Sequence, residues 1–300
     1  MNAVTVRNLS KYYGKSLGIK SVSFDVKEGD FFGFIGPNGA GKSTTIRILM
    51  GLISRSGGEA MLFGNDVSKN KSRLYSDIGY MPSEPLFYGN MRVGELLKLS
   101  ARLRKADCDK EAKLLCERLK LDTSKRISQL SLGNRKKVSI VCAMQHNPKL
   151  YILDEPTSGL DPLMQHEFYS LLEEKNKAGA TILLSSHILI EVQKYCKNAA
   201  IIRNGSILVS DSIENLGRTE AKRVSLKCNS IFDESLYKCR SIKDFSKSGD
   251  CLSFLYKGSP NELISVLSAL DVEDLSITEP DLDEVFMHYY SSDGSERKSL

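Results

Sequence analysis

The sequence predicts an α/β fold: a mainly parallel sheet with an N-terminal antiparallel β part, an inserted helical subdomain and a small C-terminal α+β appendage. Short apolar runs of strand length alternate with helical patterns over the first two thirds of the chain, as expected for parallel strands joined by helical crossovers. Residues 84–146 break that alternation, holding helical patterns and no good strand. After about residue 212 the pattern changes again, to strands and helices in a new order.

Taken in chain order, residues 2–9 place Val4, Val6 and Leu9 on a strand-like rhythm, and Ser21 to Val26 form a second strand ending at a Glu-Gly-Asp turn. "FFGFIG" is an apolar strand that runs into glycines, and "TTIRILMGLI" is a helix. "LYILD" (150–154), "TILLSS" (181–186) and "NAAIIRNGSILV" (198–209) are further strands, the last broken by Asn204-Gly205 as a hairpin. Helical patterns cover 92–105, 109–120, 134–146, 163–177 and 188–195. Beyond these, "RVSLKCN" and "CLSFLYK" read as strands, and "SPNELISVLSAL" as a helix with an N-cap serine and a first-turn proline. "LSIT" follows as a strand and "PDLDEVFMHYY" as a helix, giving a β-β-α-β-α appendage. The expected divisions are a core over 1–215, a helical subdomain over about 84–146, an appendage over 216–290 and a polar, disordered tail over 291–300.

The 300 residues are 41% apolar and 26% charged, enough to bury a sizeable core. The net charge of +5 is spread along the chain, and the cluster Arg135-Lys136-Lys137 reads as a solvated helix face, which argues against a nucleic-acid partner. No stretch has the length of a membrane-spanning helix, and "MNAVTVRNLS" lacks the apolar core of a signal peptide, so a cytosolic location is expected. The seven cysteines are scattered, and Cys228, Cys239 and Cys251 lack C-x-x-C spacing, which argues for reduced, mostly buried thiols and against zinc.

"GPNGAGKST" is the motif that carries chemistry: Gly36, Pro37, Asn38, Gly39, Ala40, Gly41, Lys42, Ser43 and Thr44 satisfy G-x-x-x-x-G-K-[ST]. The glycines let successive N–H groups turn inward toward phosphate oxygens, Lys42 reaches the β and γ phosphates, and the Ser43 hydroxyl suits Mg²⁺. The following helix adds its positive end. With a strand before and a helix after, this resembles the phosphate loop of a P-loop NTPase, and a P-loop NTPase core is the expected fold. "LYILDEP" supplies the acids such a hydrolase needs: Asp154 at a strand end for Mg²⁺, and Glu155 as general base on the attacking water. "LLSSH" ends another strand at His187, where the ring can hydrogen-bond the γ-phosphate and the water. His146, His166 and His288 lack such a setting and are read as structural. "LSLGNRKK" adds Ser131 and Gly133 at a helix start whose bare N–H groups favour an anion.

In this order, "GPNGAGKST", "LSLGN", "LYILDEP", "SGLD" and "LLSSH" resemble the nucleotide-binding subunit of an ATP-binding cassette (ABC) transporter, over roughly residues 2–215. The resemblance implies ATP with Mg²⁺ and a second nucleotide-binding subunit packed head to tail, as a homodimer. Each ATP then lies between one glycine loop and the Ser131–Gly133 segment of the other copy. It implies adenine stacking by Tyr13, with Tyr12 the alternative, and an interface-crossing role for Asp161. A separate integral-membrane permease would hold the chain peripherally on the inner face of the cell membrane. The appendage resembles, more weakly, the extension on ATPases of ABC-2 exporters. Two departures stand out. The family's L-S-G-G-Q has Leu132 for its first glycine and Asn134 for its glutamine, and Ser83 in "IGYMPSEP" stands where the family has a glutamine near Mg²⁺ and the water. "EPLFYGNMRVGELL" is either a groove for the permease or ordinary subdomain packing. Two other functions are weighed against export. A soluble, non-transport ABC ATPase is disfavoured by the lack of heptads and of a second cassette. A weakly hydrolysing regulatory subunit is favoured by Ser83 and the altered L-S-G-G-Q, and disfavoured by Glu155 and His187.

Overall fold

A computed structural model describes residues 1–69, 75–217, 221–228, 241–268 and 271–279. The chain divides into two compact units, Met1–Ile213 and one beginning at Glu214. In the first, β1 (Asn2–Tyr13), β2 (Ser16–Lys27), β4 (Gly57–Leu62) and β5 (Asn65–Asp66) form an antiparallel sheet in the order β2-β1-β4-β5. A second sheet runs β10-β9-β3-β8-β7-β6, built from β3 (Phe31–Ile35), β6 (Ile78–Met81), β7 (Leu150–Asp154), β8 (Thr181–Ser186), β9 (Asn198–Arg203) and β10 (Ser206–Ser212). All its neighbouring pairs are parallel except the β9–β10 hairpin. Every residue of β3, β7 and β8 is buried, which explains their continuous apolar runs.

The two sheets share a core with α1 (Lys42–Leu49). Phe24 of β2 stacks on Phe34 and Phe32 of β3 at 5.1 and 5.8 Å, and Ile46, Ile48 and Leu49 join the same cluster. Between β6 and β7 the helices α2 (Val93–Arg104), α3 (Asp109–Arg118) and α4 (Leu132–Met144) follow one another with a 3₁₀ turn at Ile127–Gln129. A capping bond starts α2, with the Arg92 N–H donating to Glu95 Oε2 at 2.8 Å. Arg118 fastens this helical segment to α5 (Pro162–Lys177) by ion pairs to Glu167 (2.5 Å) and Glu174 (2.6 Å). α6 (Leu189–Tyr195) follows β8. The crossover from β6 to β7 therefore holds three helices, within the same compact unit as the two sheets.

The second unit begins at Glu214, one residue into the short α7 (Ile213–Gly217). It has an antiparallel sheet in the order β12-β13-β11-β14, formed by β11 (Lys222–Cys228), β12 (Ile242–Ser248), β13 (Cys251–Tyr256) and β14 (Val272–Thr278). Val224, Leu226, Leu252 and Phe254 pack there with Leu263 and Leu267 of α8 (Pro260–Leu267). Ser259 occupies the N-cap and Pro260 the first turn, although the serine hydroxyl makes no capping bond.

Several sequence expectations need correction. β4, β5, β6 and β12 were not anticipated. β6 is short and contains Gly79, β4 opens on two glycines, and β12 carries Lys243, Asp244 and Lys247 with few apolar residues, so pairing with neighbours makes them strands. The first two strands are longer than the alternation suggests, and α1 stops at Leu49. Lys136 does not lie on a solvated face: it is 1% exposed. Cys251 is exposed, while Cys108, Cys116 and Cys196 are buried free thiols. The helix expected over "PDLDEVFMHYY", His288 and the polar tail lie outside the described residues.

His146, just beyond α4, is a structural histidine. Arg104 Nε donates to its Nε2 at 3.1 Å. Burial, then the Arg104 charge, pushes its pKa down from 6.5 to about 4. Between these values the unfolded chain binds more protons than the folded one, so stability rises with pH; the contribution is complete above the upper value and lost as pH falls through the lower. The melting temperature should therefore drop between about pH 7 and about pH 5.5, and drop less in His146→Gln. Equal drops in the two proteins would rule this histidine out as the source.

Candidate functional site

The parallel register builds the site. Ile35 pairs with Ser186, and Asp154 with Ser185, so β3, β7 and β8 deliver their carboxyl ends to one edge. The glycine loop leaves β3 there and turns into α1 at Gly41, whose φ of 110° only glycine adopts readily. Gly36 is required for a different reason: a β-carbon would sit 2.3 Å from the Ile202 carbonyl oxygen of β9. Gly39, at φ 80°, faces open space. These glycines leave a cradle next to a cleft of about 460 Å³ whose walls include Tyr13, Asn38, Gly39, Lys42, Ser43 and Ser83.

Lys42 is 4% exposed and is held by the loop itself, donating to the carbonyls of Gly36 (2.6 Å) and Pro37 (3.1 Å). Its amino group also lies 3.2 Å from Glu155 Oε1. Asp154 is 1% exposed, and Ser185 Oγ donates to its Oδ1 at 3.1 Å. Burial pushes the Asp154 carboxyl up, against hydrogen bonds from Ser43 and Ser185 that lower it. Glu155 has a left-handed backbone at φ 47°, uncommon for a side-chain-bearing residue, and its N–H donates to the Ser185 carbonyl at 3.1 Å. The His187 Nδ1 stands 3.4 Å from Glu155 Oε1. Lys42, Ser43, Asp154, Glu155 and His187 thus converge. The hydroxyl of Ser43 and the carboxylate of Asp154 are hard oxygen donors side by side, a pair suited to Mg²⁺ once phosphate oxygens complete its shell.

Tyr13 lines the cleft, with Lys11 Nζ 5.2 Å from its ring centroid, whereas Tyr12 does not; strand alternation sends the two rings to opposite faces. Ser83, which follows β6, and Glu84 also reach the cleft wall. Ser131, Gly133 and Asp161 are not brought to it. Ser131 caps α4, its Oγ accepting from the Asn134 N–H at 3.3 Å, and its own hydroxyl proton remains available to donate. Gly133 packs so tightly on the "SGLD" loop that a β-carbon would lie 2.9 Å from the Gly159 oxygen. The Leu132 side chain leans over Gly159 and is 52% exposed. Asp161 caps α5, Oδ1 accepting from the Met164 N–H at 3.0 Å.

Two residues here escaped the sequence reading. Ser185 becomes visible once β8 is set in register with Asp154. Lys136, hidden in a basic run, donates from Nζ to the Glu155 carbonyl at 3.0 Å.

A family model described as ABC transporter matches residues 19–158. The bacitracin transport ATP-binding protein BcrA of Bacillus licheniformis is 31% identical across 95% of this chain and 96% of its own length. An ABC transporter ATP-binding protein of Synechocystis is 30% identical across 95% of this chain and 84% of its own. A solved structure of an ATP-binding subunit of an ABC transporter superposes with a TM-score of 0.68 at 32% identity, over 71% of this chain and 91% of that one. With its phosphate loop and Glu155 in one cleft and Asp154 bonded to Ser43 beside it, the chain belongs to the ABC transporter family, as an ATP-binding subunit that hydrolyses ATP to power transport.

Proposed function

We propose that two copies of this chain close head to tail on two ATP molecules and so drive export through a separate integral-membrane permease. The observation that carries this reading is the division of the phosphate-binding groups. The glycine loop, Lys42 and Glu155 line the cleft, whereas Ser131 and Gly133 begin a helix elsewhere on the same unit. The start of α4 in one copy, where the Ser131 hydroxyl caps the Asn134 N–H and keeps its own proton to donate, would meet the γ-phosphate held by the other. Asp161, exposed at the start of α5, then faces the opposite copy.

Within each site, the loop N–H groups and Lys42 bind the phosphates, and Tyr13 stacks on the base. Lys42 first exchanges its bonds to Gly36 and Pro37 for phosphate oxygens, so the loop is held ready by the group that later binds ligand. Glu155 takes the proton of the attacking water, and His187 orients that water and the γ-phosphate. Mg²⁺, held by Ser43 and Asp154 with help from Ser83, would neutralise charge on the phosphates. ATP favours the closed pair and shifts the population toward it; hydrolysis resets the pair.

Among the described residues no helix is long and apolar enough to cross a membrane. The chain acts from the cytoplasmic side, docked on its permease, and that permease selects the cargo. The exposed Leu86 and Tyr88, just ahead of α2, are suited to this docking. Similarity to a bacitracin-transport ATPase over nearly the whole length favours export of antibiotic-like compounds. Ser83 and Leu132 favour slow hydrolysis.

Glu155→Gln should cut turnover by about 10²- to 10⁴-fold and hold an ATP-bound dimer, detectable by size-exclusion chromatography with light scattering. A chain that stays monomeric at saturating Mg-ATP speaks against closure. Ser83→Gln, with the longer reach of its amide, should raise the steady-state ATPase rate and change its Mg²⁺ dependence. Identical rate and Mg²⁺ titration would remove Ser83 from the site.

A further inference from the structure

Lys136 is a buried lysine on the helix that Ser131 begins. A buried amino group is costly unless it is hydrogen-bonded, so its hydrogen bond matters. That bond runs to the main-chain carbonyl of Glu155 at 3.0 Å, while the Glu155 N–H is bonded to Ser185. A left-handed residue directly after a strand is thus clamped at both backbone groups, by β8 on one side and α4 on the other. The clamp sits opposite the Glu155 carboxylate, which faces Lys42 and His187. Burial lowers the Lys136 pKa, while the charges of Asp154, Glu155 and Glu84 act the other way and favour its protonated form.

We infer that Lys136 is a positioning residue for Glu155: it holds the Glu155 main chain in its left-handed conformation, so that the carboxylate stays aimed into the cleft. Because Lys136 and Ser131 share α4, the same link ties the carboxylate of one site to the helix start that meets the phosphate of the other. The inference rests on Glu155 being the general base and on the paired arrangement proposed above.

The test uses the full chain and compares wild type, Lys136→Met, Lys136→Gln, Glu155→Gln and Lys136→Met combined with Glu155→Gln. Steady-state and single-turnover ATPase rates are measured, with affinity for a fluorescent ATP analogue and a thermal melt of each protein. Lys136→Met should lower kcat by about 10- to 100-fold while leaving analogue affinity within about twofold. Lys136→Gln, which keeps a donor of shorter reach, should recover part of the loss. In the Glu155→Gln background Lys136→Met should cost nothing further, because both changes act on one group. An unchanged kcat, an affinity that falls together with kcat, or a multiplicative loss in the double variant would each overturn the link. If Lys136→Met does not melt cooperatively, Lys136→Gln decides: a lowered kcat at unchanged affinity supports the link, and any other result overturns it. A Glu155→Gln protein as active as wild type would overturn the assignment of the base itself, a failure distinct from that of Lys136.

Discussion

The constraint on which the rest of the structure depends is the parallel register of β3, β8 and β7. It sets Ile35 beside Ser186 and Asp154 beside Ser185, and so brings three separate stretches of chain to one sheet edge. A slip of one residue would turn Asp154 to the opposite face. Burial on both faces makes such a slip costly, since every residue of these strands would have to exchange packing partners. The stacked Phe24, Phe32 and Phe34 lock the antiparallel sheet onto this frame, and the antiparallel sheet in turn places Tyr13 on the wall of the cleft.

Charge within that frame is balanced at short range. Lys42 is satisfied by carbonyls of its own loop and by Glu155, and Asp154 by two serine hydroxyls. Neither residue needs a ligand to be stable when buried, so the cleft can exist open. Binding then exchanges hydrogen bonds instead of creating them from nothing. This keeps the net gain per bond near the ~1 kcal/mol typical of such exchanges, while bonds to a charged phosphate are the stronger ones.

The sequence was most informative where local chemistry dictates the outcome. The apolar runs at 150–154 and 181–186 became strands with those bounds, because strands buried on both faces carry an unbroken apolar signal. The glycine loop was legible because its spacing is demanded by backbone approach. Asp154, Glu155 and His187 were legible as residues at strand ends. β6 was hidden because four residues containing a glycine carry too little pattern, and its position follows only from pairing with β7. Lys136 was hidden for a related reason: a basic run looks solvated until the tertiary fold brings the Glu155 carbonyl to one member of it. Asp161 and Ser131 are helix N-caps, a role written in Asp-Pro and in the serine ahead of a helical run.

In the proposed mechanism the working site is shared between two copies. This sharing is tested most directly by disulfide trapping in a Cys251→Ser, Glu155→Gln background, with Asn38→Cys in the glycine loop and Ser131→Cys at the start of α4. ATP should promote an intermolecular bond between Cys-substituted positions 38 and 131, yielding a covalent dimer that vanishes when nucleotide is withheld. A bond that forms only within a single chain, or a dimer fraction that ignores ATP, would contradict it.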